Sequence, residues 1–74
     1  MTLEEAKQKI QVGRRYQHYK GNIYTVDFIA LDTNTLESVV VYHSDENDNI
    51  YTRPVEIWLE NVNINVPRFT LLEE

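Results

Sequence analysis

Cysteine is absent from this chain. That removes disulfides, thiolate nucleophiles and Cys-based zinc or iron–sulfur sites together, and the fold must hold by packing alone. Glycine occurs only twice, too few for a phosphate-cradling or dinucleotide-binding loop, and no G-x-S-x-G elbow is present. No apolar run approaches the ~20 residues that span a bilayer. Nor does a basic start lead into an apolar stretch, so no signal peptide is expected, and by elimination the expected location is cytoplasmic. Cations are scarce too. Seven Lys and Arg face twelve Asp and Glu, a formal charge of −5. That balance repels a phosphate backbone unless the few cations gather on one face, which disfavours nucleic acid as a partner.

What is present is ordinary for a small folded domain. The hydrophobic fraction is 42%, with five Tyr, two Phe and one Trp. A length of 74 residues allows one domain. A chain this short buries roughly 60% of its unfolded surface, so its core is small. Residues 1–12 are expected to hold an N-terminal helix and residues 13–74 the main body. Thr2 followed by Glu5 fits a capping box. Leu3, Ala6 and Ile10 share one helical stripe, and Glu4 and Glu5 suit the dipole at the helix start.

After Gly13 the period changes to that of strands. Gly21-Asn22 between two such runs predicts a two-residue hairpin. In that register Tyr16 faces Asp27, His18 faces Thr25, and Tyr24, Val26, Phe28 and Ala30 form the core face. Asp32 to Thr35 read as a turn. Residues 36–43 read as a third strand with Leu36, Val40 and Tyr42 inward; its valine run leaves open whether it is buried on both sides. Residues 44–49 form a polar loop. Ile50 to Arg53 make a fourth strand ended by Pro54, Pro54 to Leu59 a helical turn, and Val66 to Leu71 a last strand. The expected fold is mainly β: an SH3-like five-stranded barrel with a short N-terminal helix and a helical turn before the last strand.

Four segments carry a family resemblance. They are Tyr16-Gln17-His18-Tyr19-Lys20-Gly21-Asn22, then Thr35-Leu36-Glu37 with Val40-Val41-Tyr42, then Arg53-Pro54-Val55-Glu56, and last Val66-Pro67-Arg68-Phe69. In order and spacing, over about residues 13–70, this resembles an uncharacterised bacterial family, domain of unknown function 1653. The resemblance implies a small SH3-like fold and lends no catalytic residues. The N-terminal helix lies outside it.

Several constellations have a chemical and a plainer reading. Asp45, Asn47, Asn49 and Glu56 match four calcium-loop positions, but Ile50 stands where that loop needs Gly, so a solvated loop is the better reading. His18 and His43 lack the spacing of a zinc pair, and no metal or other cofactor is expected. Asp27 with Glu37 is a conceivable carboxylate pair, yet so short a chain rarely encloses a dry active site, and an enzyme is not expected.

Aromatic surface is the stronger signal. Tyr16, His18, Tyr42, Tyr51 and Trp58 exceed what a small core requires. Trp58 is expected in the core, Tyr16 and His18 at the surface. Arg53 and Arg68 flank prolines and could grip a carboxylate or phosphate bidentately; the alternative is pairing with Glu56 or Glu60. The candidate ligand-binding residues are therefore Tyr16, His18, Asp27, Tyr51, Arg53 and Arg68. The expected function is a non-enzymatic binding module for a protein or peptide. Two alternatives stand: a nucleic-acid binder using a stripe of Arg14, Arg15 and Lys20, or a homo-oligomerisation element pairing through an edge strand. No membrane contact is expected, and no oligomeric state follows from the sequence.

Overall fold

A computed structural model describes residues 2–72; the outer limits of the expected segments, Met1 and residues 73–74, lie outside it. Helix α1 spans Leu3–Lys9. Its start is the expected capping box. The Glu5 amide donates to the Thr2 hydroxyl at 3.2 Å, and the Glu5 carboxylate accepts from the Thr2 amide at 3.4 Å. Ala6 and Ile10 are buried and Leu3 packs beside them, so the stripe docks the helix on the sheet.

Strands β1 (Arg15–His18) and β2 (Ile23–Leu31) form the hairpin, but not in the expected register. Tyr16 pairs with Tyr24 and Gln17 with Ile23. The loop is Tyr19-Lys20-Gly21. The His18 amide donates to the Asn22 carbonyl, and the Gly21 amide donates to the His18 carbonyl, each at 2.8 Å. This is the three-residue hairpin, a turn completed by one residue of positive φ; Gly21 supplies it at φ +109. Tyr16 meets Tyr24 instead of Asp27, a slip of three residues. An odd slip exchanges the faces of the strand. Tyr16 and His18 therefore turn inward.

A second departure lies within β2. It pairs with β3 (Ser38–Ser44) as Val26 with Tyr42 and then Phe28 with Val41, which leaves Asp27 as a bulge. The extra residue reverses the alternation. Val26 and Ile29 are buried, whereas Phe28 is 66% exposed. Phe28 is thus not a core residue, and Ala30 is only partly buried. Strand β3 settles the valine question, because buried and half-buried residues alternate along it: Ser38, Val40, Tyr42 and Ser44 are inside. Leu36 is exposed in the preceding turn at φ +60, not in the core.

Strand β4 (Ile50–Pro54) leads into α2 (Val55–Trp58), with Pro54 at its cap. A short hairpin of β5 (Asn61–Asn63) and β6 (Val66–Pro67) follows, then β7 (Phe69–Leu71). The expected last strand is broken at Arg68, and β5 was not foreseen.

The main sheet is antiparallel, in the order β4-β3-β2-β1-β7. It is open, not closed into a barrel: β4 and β7 are its two ends, and among the described residues no backbone pairing joins them. The ends meet through side chains on the core face instead. Trp58 stacks flat on Phe69, centroids 3.6 Å apart, and the Arg53 guanidinium lies 5.5 Å from the same Phe69 ring. Trp58 is 2% exposed, as expected of a core plug.

Candidate functional site

The hairpin register decides which groups share the core face. From β1 it turns Tyr16 and His18 inward; from β7, Phe69 pairs with His18. On β4, Tyr51 lies opposite Tyr42, and Arg53 opposite the buried Val40, so both face the same way. Helix α2 covers the middle of this face with Val55 and Trp58. Toward one margin the cover ends. There the rings of His18, Tyr24, Tyr51 and Phe69 adjoin, with Tyr24 5.3 Å from Tyr42, 6.3 Å from Tyr51 and 6.0 Å from Phe69. His18 lies 5.0 Å from Phe69, edge-on.

Three cations lie around this margin. Arg53 lies against Phe69, and its Nε donates to the Tyr42 hydroxyl at 3.3 Å. It has no carboxylate within ion-pairing distance among the described residues. Arg68, just before β7, reaches Glu60 only at 3.8 Å, and its Nε is buried without an acceptor. Lys20 sits at the hairpin turn, 5.8 Å from the Tyr19 ring. Burial, then the charges of Arg53, Arg68 and Lys20, hold His18 below the ordinary imidazole value. Three cations thus bear on one histidine in a protein of charge −5.

Four of the six candidate residues (His18, Tyr51, Arg53 and Arg68) therefore meet at this margin. The other two do not. Tyr16 is 6% exposed, because the three-residue loop turned it inward; its hydroxyl accepts from the Gln11 amide at 3.0 Å, and its ring meets Trp58 edge-on. The expectation of a surface Tyr16 is thus corrected. Asp27 lies on the opposite face, at the bulge, where its carboxylate holds His43 Nδ1 at 2.8 Å. It shares no face with His18, and Glu37 is not its partner.

The opposite face carries a separate polar network. Arg15 pairs with Asp45 at 2.9 Å, and Thr25 donates to the same carboxylate at 3.0 Å. Arg15, Asp45 and His43 border a wide-open hollow of about 600 Å³ over the acidic loop. Arg15 is therefore turned away from Lys20, and the stripe of Arg14, Arg15 and Lys20 does not form one surface. Arg14 instead reaches the Gln11 side chain at 3.4 Å. Of the calcium-loop residues, Asp45 is engaged by Arg15 and Thr25, and Asn47 accepts from the Asn49 amide.

The reading from sequence missed Tyr24 and Lys20 as members of the site, and His43 as the partner of Asp27. Alternation places Tyr24 inward, but nothing in a linear pattern shows that the core thins out beside it. The pairing of Asp27 with His43 depends on a bulge that alternation cannot signal.

Residues 14–71 match the family described as "Protein of unknown function (DUF1653)". The chain is also similar to a solved structure, that of a protein belonging to DUF1653 from Bordetella bronchiseptica. The two share 34% identity and a TM-score of 0.77, over 88% of this chain and 90% of that one. No match was found among curated proteins. The whole aromatic and cationic margin falls inside the matched segment, whereas α1 precedes it.

Proposed function

The chain belongs to the DUF1653 family, which carries no assigned activity, and from its own site we propose that it is a non-enzymatic recognition module for an extended segment of a partner protein. The observation that carries this reading is the margin of His18, Tyr51, Arg53 and Arg68, where Arg53 lies over the Phe69 ring with no carboxylate in ion-pairing range among the described residues, Arg68 reaches Glu60 only at 3.8 Å, and the Tyr51 ring is exposed. Tyr, Trp and Arg dominate the energetics of protein interfaces, and grooves lined by aromatics suit extended peptides.

The edge of β4 adds a second means of holding such a segment. Apart from the ladder to β3, Ile50 to Pro54 make no backbone hydrogen bond among the described residues. A peptide laid along that edge gains main-chain hydrogen bonds. Its alternate side chains then meet Tyr51 and Arg53. The order of elements, with a helical turn before the last strand, supports kinship with SH3-like barrels whose seam is left open. The bacterial source of the solved relative and the lack of cysteine support a bacterial, cytoplasmic setting. Net negative charge and the separation of Arg15 from Lys20 argue against a nucleic-acid partner.

The test is selection of peptides from a random displayed library on the immobilised domain. Amide chemical shifts of the labelled protein are then followed with the selected peptide. Perturbation centred on Ile50–Pro54 and His18 supports the module. Failure to enrich any sequence, or perturbation confined to the acidic loop, overturns it. Self-association through β4, seen by sedimentation without peptide, would replace it with the oligomerisation reading.

A further inference from the structure

We infer that the margin between β4 and β7 is an oxyanion seat, in which Arg53, Arg68 and the Nε2–H of His18 receive a carboxylate or phosphoryl group carried by the bound segment. This rests on the recognition reading above and names the chemistry of what is recognised.

The donor inventory supports it. Arg53 spends its Nε on the Tyr42 hydroxyl, which leaves both terminal nitrogens of the guanidinium without a partner among the described residues. That fork matches two oxygens of a carboxylate or phosphate. Arg68 is held 3.8 Å from Glu60, too long for a hydrogen bond, and its Nε is buried and unsatisfied. A buried donor left without an acceptor costs free energy, and such a group calls for an explanation. An arriving oxyanion draws the Arg68 guanidinium into a complete set of contacts.

His18 supplies the neutral donor. Its Nδ1 accepts the Lys20 amide at 3.2 Å. In a neutral ring the nitrogen that accepts carries no proton, so the proton resides on Nε2. The turn that places Lys20 thus fixes the tautomer that donates. Phe69 ties the groups together, since its ring is within 5.0 Å of the His18 ring and 5.5 Å of the Arg53 guanidinium. Lys20 stands at the hairpin turn as a third positive charge. Donors dominate this margin. Glu60, 59% exposed, is the carboxylate that Arg68 reaches, and only loosely.

The experiment is a nuclear magnetic resonance titration of the intact domain with sodium phosphate and, separately, sodium acetate. Sodium chloride at matched ionic strength is the control. Saturable shifts of the His18 ring and of the Arg53 and Arg68 Nε signals, absent with chloride, are expected. Arg53→Gln should weaken them tenfold or more, and Arg53→Lys should restore part of the loss, with thermal melts confirming that both variants fold. Tighter binding of phosphate assigns a phosphoryl group; equal or tighter binding of acetate assigns a carboxylate. Responses identical to chloride, or untouched by Arg53→Gln, overturn the seat. A selected peptide whose acidic groups are replaced by amides separates the two readings. If it still binds, the seat fails and the module stands. If the free anions bind but no peptide does, the seat stands and the module fails.

Discussion

Replacing Trp58 with alanine should remove about half of the domain's stability. At ~0.05–0.15 kcal/mol per residue, 74 residues give a total of about 4–11 kcal/mol. Truncating a buried Trp costs about 3–5 kcal/mol. The upper part of that range applies here, because the indole is 2% exposed and touches three rings. It stacks on Phe69 at 3.6 Å and meets Tyr42 at 5.0 Å and Tyr16 at 5.5 Å. Each favourable ring pair adds about 0.5–1.5 kcal/mol beyond its area. Trp58→Phe keeps a ring on Phe69 and should cost about 1–2 kcal/mol. The chain has one Trp, so its fluorescence is lost with the substitution. Urea unfolding followed by far-ultraviolet circular dichroism is the suitable assay. With a slope near ~1 kcal/mol/M for so small a protein, the Trp58→Ala midpoint should fall by about 3 M or more. A loss below about 1 kcal/mol would refute the claim that this ring closes the gap between the ends of the sheet.

Three further outcomes are expected. His18 has a folded-state pKa below the unfolded value, about 6.5, so the unfolded chain takes the proton first as pH falls. Its contribution to stability is complete above about pH 6.5 and declines as pH drops through that value, levelling once the folded ring protonates too. The groups facing it are Tyr19 and Lys20 from the turn, Tyr24 from β2, Arg53 from β4, and Arg68 and Phe69 from the β7 end. Urea midpoints between pH 7.5 and 5.5 should therefore fall less steeply in His18→Gln than in the parent; equal slopes would contradict the assignment. Leu36→Asn should stabilise by about 0.5–1 kcal/mol, because Leu36 holds a positive φ that Asn tolerates and is 72% exposed; an unchanged melting temperature counts against strain there. Tyr16→Phe removes the acceptor of the Gln11 amide and should cost about 1–3 kcal/mol in the same urea assay, whereas a neutral result would mean that water replaces the hydroxyl.

Local signals were read well. Thr2 and Glu5 announced α1, and Val40, Tyr42 and Trp58 were placed inside by pattern and size. Errors entered where one residue changes the phase of a strand. Gly21-Asn22 reads as a two-residue turn, yet the chain uses Gly21 as the last residue of a three-residue loop, and Tyr16 moves from surface to core. Asp27 bears no mark of a bulge, so alternation gives Phe28 the place that Ile29 takes. The site was named residue by residue at His18, Tyr51, Arg53 and Arg68, but not as a unit. Their meeting depends on how far the sheet curls and on Trp58 and Phe69 spanning its ends. No spacing along the chain encodes that distance.

The bulge at Asp27 also divides β2 into two halves of opposite parity. Up to Val26 the even-numbered side chains are interior; beyond it Ile29, an odd number, is interior. Flattening this joint with every residue kept would drive Phe28 under the helices and Ile29 into water, whereas losing Asp27 itself would put the halves back in step with Val26 and Ile29 still interior. The Asp27 carboxylate, clasped to His43 across the strands, acts as a rivet at that joint. Deletion of Asp27 should accordingly leave the buried set of the strand intact and cost chiefly the His43 contact, whereas deletion of Val26 or Ile29 removes a core side chain.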